Sequence, residues 1–596
     1  MKKIFIFLSL FALIFCCSCT EENNEAISIN VSNYKTAYQL GEALDLNGLK
    51  VTLNYSDGSS TVLSKEEYTI DSSSYNSNLW GEYEIIITEN THQLKNSFKV
   101  MIDTSNYTIN WDADDSILAN QSSVNTLYKP TFHLSAPYGW MNDPNGFTYF
   151  NNEIHMFYQH NPYSSEWDKM HWGHATSTDF IKWTHQPVAL APTQQGVDTV
   201  SGCFSGSAIE HNNFMYLFYT GVNEEQEVCM AASKDGVYFE KYPNNPVINF
   251  SEVPDGVRKD GFRDPKVFKH NNEFYMIIGA QDKVSGQVLM YKSEDLLNWT
   301  YVGKVLETFD KHSSGLHVDG AIECPDFIIV DNQELITGSL MNYPQNETHQ
   351  NINSPVYFVG SINYETGKFE YTDFYDLDYG FDFYAPQTMT LPDGRVIMTA
   401  WMQTLGRTFP THQLGHNWCG AQILPRELTF KDGKLYQNPV REIENYYQNK
   451  VTKSELSVSN SETIEGISGN KIDLTLTLDC SNSQKGGLKV LQQGNEYTSI
   501  YYDKALGSIV INRENSGNKI TGSEQNASYR LAKVDGNVVK LRIIIDVSSI
   551  EIFINDGEKV ITSVVYPINS GSNITFFSEG GTTNFTNITK YDVVVE

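Results

Sequence analysis

The first thing this chain lacks is material for a disulfide framework. Of its eight cysteines, Cys16, Cys17 and Cys19 crowd the N-terminus, and Cys203, Cys229, Cys324, Cys419 and Cys480 form an odd, scattered set. Such a set does not staple a fold, and no CxxC or His/Cys cluster has the spacing of a structural zinc site. Free thiols, no metal and no cofactor are expected. Positive charge is also short: 42 Lys and Arg against 72 Asp and Glu leave a formal net charge of −30. That balance argues against nucleic acid or an anionic membrane surface as partner. It suits a neutral substrate better than a phosphorylated one. Helical periodicity is scarce, whereas 35 Tyr, 31 Phe and plentiful Asn and Thr suit strands and turns. A chain of 596 residues is too long for one hydrophobic core and is expected to divide into two to four domains.

The apolar run Ile4 to Phe15 follows Lys2 and Lys3 and is too short to span a bilayer as a mature helix. It has the length of a signal-peptide core. The following Cys16-Cys-Ser-Cys19 resembles the end of a bacterial lipoprotein signal, which implies Cys19 as the lipidated residue. Cys16, Cys17 and an ordinary secretory cut nearby stay open. Export is expected in each case, to a lipid-anchored place at the cell surface or the periplasm-facing membrane, or as a secreted protein. The membrane is a partner only through that anchor. Residues 1–19 are thus read as signal and 20–29 as a polar tether of low order. Residues 30–102 are read as a small β-domain, with Tyr38–Asp45, Leu49–Tyr55 and Tyr83–Thr88 set between turn signals. The order Leu-Gly-Glu-Ala-Leu-Asp, Gly-Leu-Lys-Val, Tyr-Ser-Asp-Gly resembles bacterial immunoglobulin-like domains and implies a spacer. Residues 103–127, rich in Asp, Asn and Ser, form a linker.

From 128 to 440 the chain repeats. Five polar motifs recur: Trp140-Met-Asn-Asp-Pro-Asn-Gly146, Phe204-Ser-Gly-Ser207, Phe262-Arg-Asp-Pro265, Glu323-Cys-Pro-Asp326 and Asp382-Phe-Tyr-Ala-Pro386. With Asp143, Ser205, Asp264, Glu323 and Tyr384 as markers, the intervals are 62, 59, 59 and 61. About ten residues after each marker comes a strand-like run: Glu153–Tyr158, Phe214–Tyr219, Glu273–Ile278, Glu334–Ser339 and Arg395–Trp401. A period of roughly 60 residues fits a four-stranded blade, and five units close a β-propeller. Closure brings the start of every innermost strand to one axis, so carboxylates far apart in sequence converge. Residues 446–596 return to short strands and are read as a second, larger β-sandwich, with Asp556-Gly557 as a hairpin turn. The fold class is therefore all-β: a small immunoglobulin-like sandwich, a five-bladed propeller and a C-terminal β-sandwich.

The motifs Trp140–Gly146, Phe262–Pro265 and Glu323-Cys324 resemble the three signatures of glycoside hydrolase family 32, the β-fructofuranosidases. The likeness extends over nearly all of 128–596. It includes Trp172-Gly-His174, Phe204–Ala208, Leu377–Gln387, Leu424–Leu428 and Ser548–Glu558. Retaining hydrolysis of a glycoside needs two carboxyl groups about 5–5.5 Å apart, one nucleophile and one proton donor. The resemblance implies Asp143 as nucleophile at the anomeric carbon of a fructofuranosyl unit and Glu323 as acid/base. Asp264 is implied to hold the sugar hydroxyls and steady the oxocarbenium-like transition state. The Asn-Asp-Pro-Asn-Gly turn is expected to put backbone donors near Asp143 and keep it ionised. Glu323 must carry a proton near neutral pH to donate one.

By the same resemblance Asn142, Gln159, Trp167, Ser205, Arg263 and Trp401 line the sugar pocket, with planar amides, a guanidinium and an aromatic wall. Phe204 is a further pocket candidate that reads more readily as packing, and Trp401 reads equally as either. Tyr384 either points its hydroxyl into the funnel or closes a blade. Trp172 and His174 read as blade packing. The expected partner is a β-fructoside carbohydrate, cleaved from its end. An endo-acting fructanase and a catalytically silent fructan-binding protein remain alternatives. Oligomeric state and linkage preference are not encoded in these patterns.

Overall fold

The computed structural model describes residues 24–107, 109–308, 320–346 and 349–595; the signal segment and Cys19 lie outside the described residues. The chain forms two compact units, one ending at Asp103 and one running from Thr104 to Glu596.

The first unit is a sandwich of two small sheets. One holds Ala26–Ser32, Lys50–Tyr55 and Ser60–Val62; the other holds Ala37–Tyr38, Lys95–Ile102, Gly81–Glu89 and Tyr68–Asp71. Strict alternation along Gly81–Glu89 sends Tyr83, Ile85 and Ile87 into the core with Val51, Phe98 and Val100. Two expectations need correction. The tether is structured from Ala26, because that strand pairs antiparallel with Lys50–Tyr55. Tyr38–Asp45 is mostly a turn: Gly41 has φ of 84°, and the Gln39 amide donates to the Glu42 side chain, so local bonds replace a ladder.

In the second unit, the stretch read as a linker contains a helix, Trp111–Asn120. It buries Ala113 and ties itself down through Asn110 to the Val188 carbonyl (2.7 Å) and Ser116 to the Pro162 carbonyl (2.7 Å). Five four-stranded antiparallel blades follow. Their innermost strands are Gly139–Phe150, Gly202–His211, Phe262–His270, Ile322–Val330 and Tyr384–Thr390. The expected apolar runs are the second strands, Glu153–Asn161, Phe214–Val222, Glu273–Gln281, Gln333–Leu340 and Val396–Trp401. Two-residue turns join the first and second strands of blades 1 to 4. At Asn151-Asn152, Asn212-Asn213 and Asp331-Asn332 both φ angles are positive, the geometry of a tight hairpin that Asn and Asp tolerate best.

The ring closes through an insertion in blade 5. Between Val396–Trp401 and Arg426–Lys431 the chain leaves the blade, and Trp418–Cys419 pairs in parallel with Gly139-Trp140 of blade 1. Gly420 allows the approach: its φ is 92°, and a Cβ there would sit 1.8 Å from the Met141 carbonyl oxygen.

Two six-stranded sheets make the C-terminal sandwich, with a core of Leu, Ile, Val and Phe that includes Leu474, Ile500, Ile543 and Phe585. Its first sheet packs on the propeller through buried ions. Glu551 accepts from Arg426 Nη2 (2.8 Å) and faces His133 Nε2 (3.0 Å), while Arg426 also reaches Asp378 at 3.0 Å. Buried charges are tolerated there because each finds opposite charge and hydrogen bonds. The five described cysteines are buried and unpaired, and no described helix is long and apolar enough to cross a membrane.

Candidate active site

Each innermost strand breaks register at its motif: between Met141 and Pro144, Phe204 and Gly206, Arg263 and Lys266, Glu323 and Asp326, and Tyr384 and Gln387. A bulge at the start of a strand re-aims side chains that would otherwise follow the pleat. In three blades the bulge holds a non-glycine residue in the left-handed region: Asp264 (φ 67°), Cys324 (φ 47°) and Ala385 (φ 52°). Such backbone costs on the order of 1–3 kcal/mol per residue and needs support. The support comes each time from the preceding blade. The Asp264 amide donates to Thr220 Oγ1 (2.9 Å), the Cys324 amide to Asp264 Oδ2 (2.9 Å), and the Ala385 amide to Ser339 Oγ (3.1 Å).

These bulges aim Asp143, Asp264 and Glu323 into one cavity of about 170 Å³ at the propeller axis. Asp143 Oδ2 accepts from Ser205 Oγ at 3.0 Å. The Cys324 sulfur lies 3.7 Å from Asp143 Oδ2 and 3.7 Å from Asp264 Oδ2, so the two carboxylate oxygens lie within twice that distance of each other. Glu323 is gripped on both oxygens. Arg263 donates Nε (3.0 Å) and Nη2 (2.7 Å) to Oε1, and the Tyr384 hydroxyl donates to Oε2 at 2.5 Å. Gln226 Oε1 in turn meets Arg263 Nη1 at 3.4 Å and the Phe262 amide at 3.0 Å.

The electrostatics differ from the sequence expectation at Asp143. Burial first, then the Glu323 and Asp264 charges, raise its pKa to about 7, and the Asn142 and Ser205 hydrogen bonds only partly offset this. Asp264 is raised by burial too, with Arg263 pulling the other way. The Cys324 thiol is pushed well up by burial and by the Asp264, Asp143 and Glu323 charges, so it sits there as a protonated thiol and not as a nucleophile. Tyr384 is likewise pushed well up by burial and by Glu323, which keeps its hydroxyl a donor.

Of the sequence-derived subsite residues, Asn142, Gln159, Trp167, Phe204, Ser205, Arg263 and Tyr384 all border the cavity. Trp140 Nε1 fixes the Asn142 amide at 2.7 Å, and Gln159 Nε2 donates to the Cys203 carbonyl at 2.9 Å. Trp167 stands at the lip, 50% exposed, with its ring edge-on to Phe204. Trp401 does not border the cavity, which corrects its placement there. It is completely buried among Trp140, Tyr384 and Phe409, because it is the cross-strand neighbour of Tyr384, set behind the wall. Trp172 and His174 are buried blade residues. Sequence reading missed Leu405, which borders the cavity from the blade 5 insertion, and Thr220, which supports the Asp264 backbone. Neither carries a local signal, since one is a lone aliphatic in an irregular loop and the other a threonine inside a strand. Among the described residues no group of His, Cys, Asp and Glu is arranged to hold a metal ion.

Comparison with known proteins agrees with this architecture domain by domain. Residues 133–439 match the glycosyl hydrolases family 32 N-terminal domain, 442–592 the family 32 C-terminal domain, and 31–101 the bacterial Ig-like domain (group 3). A sucrose-6-phosphate hydrolase of Escherichia coli is 36% identical over 74% of this chain and 90% of its own length. A levanase of Bacillus subtilis is 32% identical over 78% of this chain and 70% of its own. Among solved structures, a Bombyx mori GH32 beta-fructofuranosidase superposes with a TM-score of 0.69 at 30% identity, covering 81% of this chain and 97% of its own. A five-bladed propeller with three carboxylates at its axis, a β-sandwich behind it and these matches over most of the chain place the protein among the glycoside hydrolases of family 32.

Proposed function

We propose that this chain is an exported, retaining β-fructofuranosidase that releases terminal fructose from sucrose, fructo-oligosaccharides or fructans. The observation that carries the proposal is the meeting of Asp143, Asp264 and Glu323 in one small cavity, with Glu323 held by Arg263 and Tyr384. Asp143 attacks the anomeric carbon while Glu323 protonates the departing oxygen, which leaves fructose esterified to Asp143. Glu323, now ionised, takes a proton from water, and the water attacks the same carbon to release fructose with net retention. Asp264 accepts hydrogen bonds from the sugar hydroxyls.

Three features support the finer points. A cavity of about 170 Å³ suits one sugar ring better than a run of several, which favours exo action. The only cation among the described residues bordering it, Arg263, is committed to Glu323, which favours a neutral fructoside over a phosphorylated one. The signal-like N-terminus would place the enzyme outside the cytoplasm, where unphosphorylated fructosides are met. The product profile from inulin and levan over a short time course tests the reading. Fructose alone from the earliest sample is expected; a ladder of oligosaccharides would mean endo action on the same residues.

The pH profile gives a second test. Asp143 must be ionised to attack, and its pKa is raised to about 7, so kcat/KM is expected to fall about tenfold per unit as pH drops below about 7. Ser205 donates to the ionised form and lowers that pKa. Ser205→Ala is therefore expected to move the acid limb to higher pH. A limb that stays in place would show that Asp143 does not govern it.

A further inference from the structure

Blade 5 reaches the pocket by two routes, and one buried carboxylate ties both of them to the C-terminal sandwich. Asp382 lies two residues before Tyr384, the residue that donates to Glu323. Its side chain is fully buried and accepts from Arg407, from Arg513 Nη1 at 3.0 Å and from the Val564 amide at 2.7 Å. Arg407 belongs to the blade 5 insertion. It follows Leu405, which borders the pocket, and precedes Phe409, whose ring lies 4.8 Å from that of Trp140. Arg513 belongs to the sandwich, just beyond the strand Ser508–Asn512, and its guanidinium stacks on Phe381 at 3.7 Å. Backbone bonds reinforce the junction. The Thr408 amide donates to the Thr521 carbonyl at 2.8 Å, and the Phe381 amide to the Thr562 carbonyl at 2.9 Å.

Two guanidinium groups on one buried carboxylate make a joint whose parts depend on one another: removing one cation leaves the others imperfectly paired in a low-dielectric interior. The segment so fixed leads directly to the left-handed Ala385 and to Tyr384, where the backbone has little slack. A shift of about 1 Å in a catalytic group can lower a rate about 10²-fold. We propose that Arg513 is a positioning residue for proton transfer: with Asp382 and Arg407 it fixes Tyr384, and Tyr384 fixes Glu323. The sandwich then belongs to the catalytic apparatus although none of its residues borders the cavity. The inference rests on Glu323 being the acid/base.

The test compares two leaving groups in the full chain. Sucrose needs its leaving oxygen protonated; p-nitrophenyl β-D-fructofuranoside does not, and kcat/KM reports only the steps up to the fructosyl-enzyme. Arg513→Met is expected to lower kcat/KM on sucrose about 10- to 100-fold while leaving the aryl fructoside within about threefold. Tyr384→Phe, which also removes a hydroxyl from the pocket wall, is expected to lower sucrose relative to the aryl fructoside by a similar factor, and the double variant to change that ratio little more than either single one. Equal losses on both substrates, or no loss on sucrose, would overturn the positioning role. If Arg513→Met does not fold, Arg513→Lys, which keeps the charge but loses the planar fork, carries the same comparison. A wild-type chain that cleaves neither substrate would overturn the proposed function itself, whereas an active wild type with an unchanged substrate ratio in the variants overturns only the positioning role.

Discussion

Asparagine in place of Asp143 is expected to lower kcat/KM on the order of 10⁴-fold or more, equally on sucrose and on p-nitrophenyl β-D-fructofuranoside. In the proposed mechanism the carboxylate is the group that bonds to the anomeric carbon, so a better leaving group cannot compensate for its loss. The same substitution is expected to stabilise the fold. Asp143 has a higher pKa in the folded protein than in the unfolded chain, about 7 against an ordinary 3.8. The folded state therefore holds this proton more tightly, and stability is lost as pH rises from about 4 through about 7. At pH 8 the full penalty of a buried carboxylate beside Glu323 and Asp264 is present, and the neutral amide removes it. Thermal melting at pH 8 is expected to rise in Asp143→Asn, with the difference shrinking toward pH 4. An active Asp143→Asn variant would remove the nucleophile assignment. An inactive one that melts below the wild type at pH 8 would instead contradict the electrostatics drawn for the site.

The propeller was legible because its signal is local and repeated. Each second strand is an apolar run such as Phe214–Val222, and each is preceded at a constant interval by a polar motif. The convergence of Asp143, Asp264 and Glu323 follows from that period alone once the ring is closed. The paired positive-φ turns, as at Asn151-Asn152 and Asn212-Asn213, carry the same period and would have strengthened the reading.

What escaped was non-local. Cys324 and Ala385 adopt left-handed backbone without being glycine, because Asp264 and Ser339 on neighbouring blades hold their amides. Nothing within either motif announces this. Trp401 and Trp167 are the same residue type with opposite fates, one sealed behind Tyr384 and the other at the lip. Only the register of Val396–Trp401 against Tyr384–Thr390 separates them. The pKa of Asp143 depends on burial and on two carboxylates more than a hundred residues away, so its own turn, with donors close by, pointed in the wrong direction. The helix at Trp111–Asn120 was hidden for a related reason: it buries little more than Ala113 and is held by side-chain bonds to blade 1, not by an apolar stripe.

Replacing Glu323 by Gln is expected to lower kcat/KM on sucrose about 10²- to 10⁴-fold, the range that a positioned proton donor supplies. Unlike the loss at Asp143, this one is expected to depend on the leaving group. Glutamine keeps the shape of glutamate, so its amide oxygen can still accept from Arg263 where Oε1 now takes two donors. The pocket is expected to stay assembled while the transferable proton is gone. On p-nitrophenyl β-D-fructofuranoside the first step then proceeds, and the fructosyl-enzyme accumulates because no base activates water for the second. A burst of nitrophenol followed by slow turnover is the expected trace. Azide, an anionic nucleophile that needs no base, is expected to restore turnover and yield the fructosyl azide of retained configuration. Equal losses on both substrates without azide rescue would move the acid/base role away from Glu323. The burst with rescue would also dispose of the alternative that this chain only binds fructans, because a silent binding protein has no covalent intermediate to trap.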